Sequence, residues 1–241
     1  MTFCGFINFG LMKNNNESTV KTIAFKSDQY LLKGSLHLPE NDLPPVVIGC
    51  HGLAANRQSP KQIGLAKACC RQGIAYFRFD HRGCGDSQRR FASVTTLEAR
   101  CRDLIGAIQL IRSMNQFNGK IGLFGSSLGG TVCLSVAGSE EITAMVTFAA
   151  PLHHRLPQAA GQGSKLRFDI TNTIRGVNNI HIFHGERDTV VPLAHARHLY
   201  ANAALPKKLT IQPAGDHRMS NTVHQELFRK ESVSWFASSF F

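Results

Sequence analysis

The sequence is short of several things, and each shortage closes off a class of protein. No apolar run is long enough to cross a bilayer, so no membrane span is expected. No Pro-, Ser- or Gly-rich stretch divides the 241 residues, and no segment repeats, which points to one domain rather than two or an array. The opening stretch, MTFCGFINFGLMKNNNES, has neither a basic n-region nor a continuous apolar h-region, so it does not read as a signal peptide. Residues 1–18 are expected to be a flexible leader, with Met12 as an alternative start, and residues 19–241 a single domain. Without a secretion signal, the Asn16-Glu17-Ser18 sequon is read as chance.

The seven cysteines, Cys4, Cys50, Cys69, Cys70, Cys84, Cys101 and Cys133, contain no C-x-x-C spacing. That argues against zinc and against a disulfide framework. Several stand in apolar stretches, where cysteine behaves as a small buried hydrophobe. A reducing, cytoplasmic setting is expected. Acidic residues are also scarce, 16 against 27 basic ones, for a formal charge of +11. The basic residues are spread along the chain, with doublets at Arg89-Arg90 and Lys207-Lys208, and no basic helix alternates with aromatics. A nucleic-acid partner is therefore not expected. A basic surface, with a mild preference for anionic substrates left open, fits better.

What is present is enough apolar residue, 43%, for a substantial core, and one repeated grammar. A short β-branched run is followed by a turn and then by a helical stretch. Residues 20–27 and 30–38 read as an antiparallel pair. Strands are expected at 45–50 (PVVIGC), 74–80 (IAYFRFD), 120–124, 144–149, 180–184 (IHIFH) and 208–212. Helices are expected at 60–72, 97–114, 131–137, 195–203 and 223–236. Alternating strands and helices imply an α/β domain, a mostly parallel sheet covered on both faces. In such sheets function gathers beyond the carboxyl ends of the strands.

One of those ends reads GLFGSSLGG, residues 122–130. Gly125-Ser126-Ser127-Leu128-Gly129 is G-x-S-x-G with Ser127 central. The spacing suits a sharp strand-to-helix turn that lifts a nucleophile out, while flanking glycines relieve the crowding. A serine hydroxyl needs a base. His217, in QPAGDHRMS after the last strand, is the expected base. An acid must orient that base, and Asp188 in HGERDTVVP is favoured over its rivals Glu186 and Asp216. The oxyanion needs two N–H donors. The backbone N–H of Leu128 is one, and that of Leu53, in the loop His51-Gly52-Leu53, is the other, with Ala54 as the fallback. His51 is expected to hold that loop rather than act as a second base.

With HGLAAN (51–56), FDHRGCGDS (79–87), GSSLG (125–129), HGERDTVVP (184–192) and GDH (215–217) on the page, the chain resembles the α/β-hydrolase superfamily. It looks most like small bacterial serine hydrolases related to feruloyl and cinnamoyl esterases and to the serine aminopeptidase-like group. The resemblance implies the α/β-hydrolase fold and acyl transfer to water through an acyl-enzyme on Ser127, with no metal and no organic cofactor. It implies a small-molecule acyl substrate as the partner, a carboxylic ester first. A thioesterase, peptidase or acyltransferase on the same triad, and a non-catalytic binding protein of the same fold, remain as alternatives. Within FDHRGCGDS, Asp80, Arg82, Gly83 and Gly85 are expected to build a hydrogen-bonded turn beside the site, and Cys84 is discounted as a nucleophile. Many relatives carry a large helical cap before the acid-bearing strand. Here the interval, about 152–179, is short, which implies a short cap and an open site. PLHHR (151–155) should approach the pocket mouth, where His153, His154 and Arg155 read first as an ordinary basic loop.

Overall fold

The computed structural model describes residues 8–13, 19–88, 95–154 and 166–241. Its elements follow the alternation of the sequence. In chain order they are β1 (Asn8–Lys13), β2 (Thr19–Ser27), β3 (Tyr30–Leu38), β4 (Val46–Cys50), α1 (Pro60–Cys70), β5 (Ala75–Phe79), α2 (Leu97–Arg112), β6 (Ile121–Ser126), α3 (Leu128–Val136) and β7 (Ala144–Phe148). There follow β8 (His153–His154), β9 (Phe168–Asp169), a 3-10 turn (Ile174–Gly176), β10 (Ile180–Gly185), α4 (Ala194–Asn202), β11 (Lys207–Gln212) and α5 (Thr222–Phe240).

Nine strands form one sheet in the order β1-β2-β3-β5-β4-β6-β7-β10-β11. From β5 to β11 every pairing is parallel, and β1, β2 and β3 extend the edge antiparallel. The central strands are apolar on both sides because helices cover both faces. Along β4, Val46, Ile48 and Cys50 face one core and Val47 the other. The first core also takes Leu104, Ile108 and Ile111 of α2, Val132 and Leu134 of α3, and Leu199 of α4. The second takes Leu65 and Cys69 of α1 and Phe228, Phe236 and Phe240 of α5. Each such fully buried phenylalanine contributes about 1.5–3 kcal/mol. Gly122 on β6 belongs to that packing, since a Cβ there would press on the rings of Phe236 and Phe240 at 2.9 Å.

Residues 8–13, read from sequence as part of a flexible leader, pair as β1 with β2, from Asn8↔Ile23 to Lys13↔Thr19. The open edge of β2 offers the backbone groups that this segment takes up. The rest of residues 1–18 lies outside the described residues. In the expected cap interval, β8 and β9 form a two-stranded antiparallel ribbon, His153↔Asp169 and His154↔Phe168, followed by the 3-10 turn. Residues 155–165, with Arg155, lie outside the described residues. Among the described residues no helix is long and apolar enough to cross a membrane. The parallel pairing brings the loops after β4, β5, β6, β7, β10 and β11 to one edge of the sheet.

Candidate functional site

β6 ends at Ser126 and α3 begins at Leu128, which leaves Ser127 alone in the turn with φ 52° and ψ −127°. A non-glycine residue held there costs on the order of 1–3 kcal/mol and persists only where its surroundings over-determine it. Here the Ser127 N–H donates to the Phe148 carbonyl at 2.8 Å, and the Ser127 carbonyl accepts from the Gly130 N–H at 2.8 Å. The glycines supply the room. A Cβ on Gly129 would run into the Cys50 carbonyl, one on Gly125 would meet Gly130 backbone at 2.5 Å, and one on Gly130 would stand 2.6 Å from the Ala150 Cβ. Ser127 occupies the N-cap position of α3, yet its hydroxyl makes no capping bond. It lies instead 3.1 Å from His217 Nε2.

His217, beyond β11, places its Nδ1 2.7 Å from Asp188 Oδ2. The Asp188 side chain is fully buried in the loop after β10. Its other oxygen accepts the N–H groups of Val190 and Val191, each at 2.8 Å. Burial opposes ionisation of Asp188, but the hydrogen bonds from His217, Val191 and Val190 outweigh it and hold the carboxyl below its ordinary value. The rival acids face elsewhere. Glu186 accepts from the Ala214 N–H at 2.8 Å, and Asp216 accepts from the N–H groups of Arg218 and Ser220 at 3.0 Å.

Leu53 and Leu128 line the same cleft as Ser127. Gly52 lets the early loop approach, since a Cβ there would sit 3.3 Å from the Ser127 Cβ. His51 is buried. Its Nδ1 donates to the Gly52 carbonyl at 2.8 Å, and its Nε2 accepts the His81 N–H at 3.2 Å. Burial, with the nearby His81 and Arg100, pushes its pKa well down, so it is a neutral brace of the loop. Beneath that loop lies a residue the sequence reading passed over. Arg100 of α2 is fully buried, and its guanidinium donates to the carbonyls of His51, Gly52 and Leu53, each at 3.4 Å. The signal was an arginine three residues after Leu97 and four before Leu104, on the apolar face of α2.

The FDHRGCGDS turn forms a second brace. Asp80 is fully buried and accepts from the Arg57 N–H at 2.6 Å, from the Arg57 guanidinium, and from the Asp86 N–H at 3.0 Å. Gly85 must lack a side chain because a Cβ would collide with the Asp80 carboxylate. Arg82 pairs with Asp103 at 2.7 Å and with Asp28 at 2.9 Å. Cys84 is buried beside Arg100 at 3.4 Å, and burial pushes its thiol pKa up, the wrong direction for a nucleophile.

The cleft has a volume of about 890 Å³ and is lined by Leu53, Lys61, Ser127, His153, His195 and Arg218, among others. Lys61 Nζ lies 3.4 Å from Ser126 Oγ and 3.9 Å from the centre of the Phe148 ring. Burial pulls its pKa down to about 8 against the opposing pull of Asp216 and Asp188. His153 and His154 line the cleft, and the His153 ring packs on His195 at 4.5 Å. Among the described residues no group of three His, Cys, Asp or Glu side chains is arranged to hold a metal ion.

The protein YfhR of Escherichia coli (strain K12) is 28% identical over 213 residues, which covers 83% of this chain and 73% of that relative. Quorum-quenching protein AidA of Acinetobacter baumannii (strain MDR-ZJ06) is 23% identical over 219 residues, 86% of this chain and 70% of AidA. Among solved structures, Est1E from Butyrivibrio proteoclasticus with ferulic acid bound superposes with a TM-score of 0.77 at 18% identity, covering 90% of this chain and 98% of that one. At that identity the likeness concerns the fold. Residues 43–176, more than half of the chain, match the family described as serine aminopeptidase, S33. The match takes in Ser127 and stops short of Asp188 and His217, which the geometry brings in. With its parallel sheet clothed by helices and its site at the strands' carboxyl edge, the chain has the α/β-hydrolase fold and belongs to the serine aminopeptidase S33 hydrolase family.

Proposed function

We propose that this hydrolase is a serine carboxylesterase that cleaves a small acyl ester through an acyl-enzyme. The observation that carries the reading is the continuous relay from Ser127 Oγ to His217 at 3.1 Å and on to Asp188 at 2.7 Å. Ser127 Oγ attacks the ester carbonyl carbon while its proton passes to His217 Nε2. Asp188 keeps the ring oriented and stabilises the imidazolium. The Leu53 and Leu128 N–H groups hold the oxyanion. Collapse expels the alcohol, which takes the proton from His217. A water then gives its proton to His217 and attacks the acyl carbon, and the acid leaves as Ser127 recovers its hydrogen.

The family's name suggests a peptidase acting on an amino terminus. An α-ammonium group wants a carboxylate in the cleft, and among the described lining residues there is none. That favours an ester. The ferulic acid held by Est1E supports a small aromatic ester as one candidate class.

Labelling with a fluorophosphonate probe tests the reading. The wild-type protein should label, Ser127→Ala should not, and Ser126→Ala should label still. On an ester panel run beside thioesters and aryl amides, the esters should be fastest, and Ser127→Ala should lower kcat by roughly 10⁴-fold or more. An unlabelled wild type would leave a non-catalytic binding protein as the better reading, and labelling that followed Ser126 would overturn the assignment.

A further inference from the structure

Lys61 is a cation that ester hydrolysis, as described above, does not use. It stands in the first turn of α1, half-buried, against the Phe148 ring and one residue from the nucleophile through Ser126. Among the described residues no carboxylate lies within ion-pair distance of it. Asp188 is engaged by His217 and two backbone N–H groups, and Asp216 by the N–H groups of Arg218 and Ser220. Taking an ammonium out of water without a counter-ion is costly unless something returns the interaction.

The surroundings sharpen the point. Lys61 and Arg218 line both the main cleft and an adjoining cavity of about 250 Å³, where Arg229 joins them. His153, His154 and His195 line the same cleft. The His195 Nδ1 accepts the Leu152 N–H at 3.1 Å, which leaves its Nε2–H as a donor. Neither cavity has an Asp or Glu among its described lining residues. A cleft with one sign of charge and low-dielectric walls concentrates ligands of the other sign.

Resting on the esterase reading, we propose that the ester this cleft takes carries a carboxylate, seated on the Lys61 ammonium with Arg218 as the second cation. The substrate is then a monoanion, either a half-ester of a short dicarboxylic acid or an acyl ester of a hydroxy acid. A charge-assisted N–H···O⁻ bond holds it where Ser126 now faces Lys61.

Two substrate pairs separate those sources. Monoethyl succinate against ethyl butyrate places the carboxylate on the acyl side. The butyrate ester of 4-hydroxybenzoate against phenyl butyrate places it on the leaving group. In one pair, kcat/KM for the anionic member should exceed that of the neutral member by about 10-fold or more. Lys61→Met should cut that ratio by about 10-fold, and Lys61→Arg should restore part of it. The ratio should also fall as pH rises through about 8, where Lys61 gives up its proton. The charged groups around it are Asp188, Asp216, Arg218 and Arg229, with His153, His154, His195 and His217 also lining the cleft, and a change in any of these that acts on the shared chemistry would touch the neutral ester equally. A wild type that prefers the neutral member of both pairs overturns the proposal, as does a ratio that Lys61→Met leaves unchanged. Calorimetric titration of monoethyl succinate into Ser127→Ala, with and without Lys61→Met, reads recognition apart from turnover. Lys61-dependent binding without cleavage by the wild type would sink the esterase reading and keep the anion site. Cleavage of neutral esters with no Lys61-dependent binding would do the reverse.

Discussion

Ser126 and Ser127 share a side chain and differ in everything that surrounds it. Ser127 sits at positive φ with its hydroxyl turned to His217, whereas Ser126 still belongs to β6 and faces Lys61. Arg100 differs from both, because it reaches the chemistry only through other groups. Its guanidinium spans the three carbonyls of the His51-Gly52-Leu53 loop and so fixes the backbone whose Leu53 N–H is the proposed oxyanion donor. It is a positioning residue. Arg100→Met should lower kcat by about 10- to 100-fold, less than or equal to the loss of one oxyanion donor, while KM changes little. Arg100→Lys should recover part of the loss. If kcat held while only the melting temperature fell, Arg100 would be merely structural.

The strand-to-helix elbow shows why a small residue can outweigh a large one. Gly129 packs against the end of β4, where a Cβ would run into the Cys50 carbonyl, which is backbone and cannot swing aside. Gly129→Ala should therefore destabilise by about 1–3 kcal/mol, or roughly 3–10 °C in melting temperature, and also displace the His51-Gly52-Leu53 loop that follows Cys50. A variant with wild-type Tm and kcat would contradict that. Most strands around this elbow were legible, because each is a short, β-branched or aromatic apolar run bounded by turn residues and too short for a helix. The start of α3 was not. The expected helix began at Thr131, but it begins at Leu128, since no capping side chain marks an N-terminus whose cap residue is the candidate nucleophile. α5 was expected to stop at 236 and continues to Phe240, whose ring is needed under Gly122. The pairing of β1 was illegible for a different reason: an edge strand needs only an open neighbour, not an apolar pattern. In the candidate site, Ser127, Asp188 and His217 stood out through their turn signals. The braces stood out less: Arg100 is marked only by its place on the apolar face of α2, and Arg57, in a loop, carries no periodicity to mark it as buried.

Those braces bear on how the molecule as a whole responds to acid. A chain with a formal charge of +11 already repels itself, and protonating its few carboxylates adds to that. Asp103 of α2 is the buried one among them that pairs with Arg82. Its side chain is fully buried, bonded to the Arg82 N–H and Nε at 2.9 Å each, and faced by His81 at 3.4 Å. Burial opposes its ionisation, but His81 and Arg82 outweigh that and hold its pKa down at about 2. The folded state therefore binds this proton less readily than the unfolded chain, where an aspartate titrates near 4. The stabilisation is fully present above about pH 4 and is lost as pH falls through about 2, with a magnitude on the order of 2 kcal/mol. Urea unfolding at pH 6 and at pH 2.5 should show wild type losing more stability between the two than Asp103→Asn, by up to that amount. The variant should start lower at pH 6, since it leaves Arg82 with Asp28 as its remaining ion-pair partner. Arg82 ties the FDHRGCGDS turn to α2, and Asp80 in that turn ties down Arg57 behind the HGLAAN loop, so loss of the Asp103 charge should loosen the turn beside the site as well. Equal pH slopes for the two proteins would show that the acid sensitivity lies in the other carboxylates.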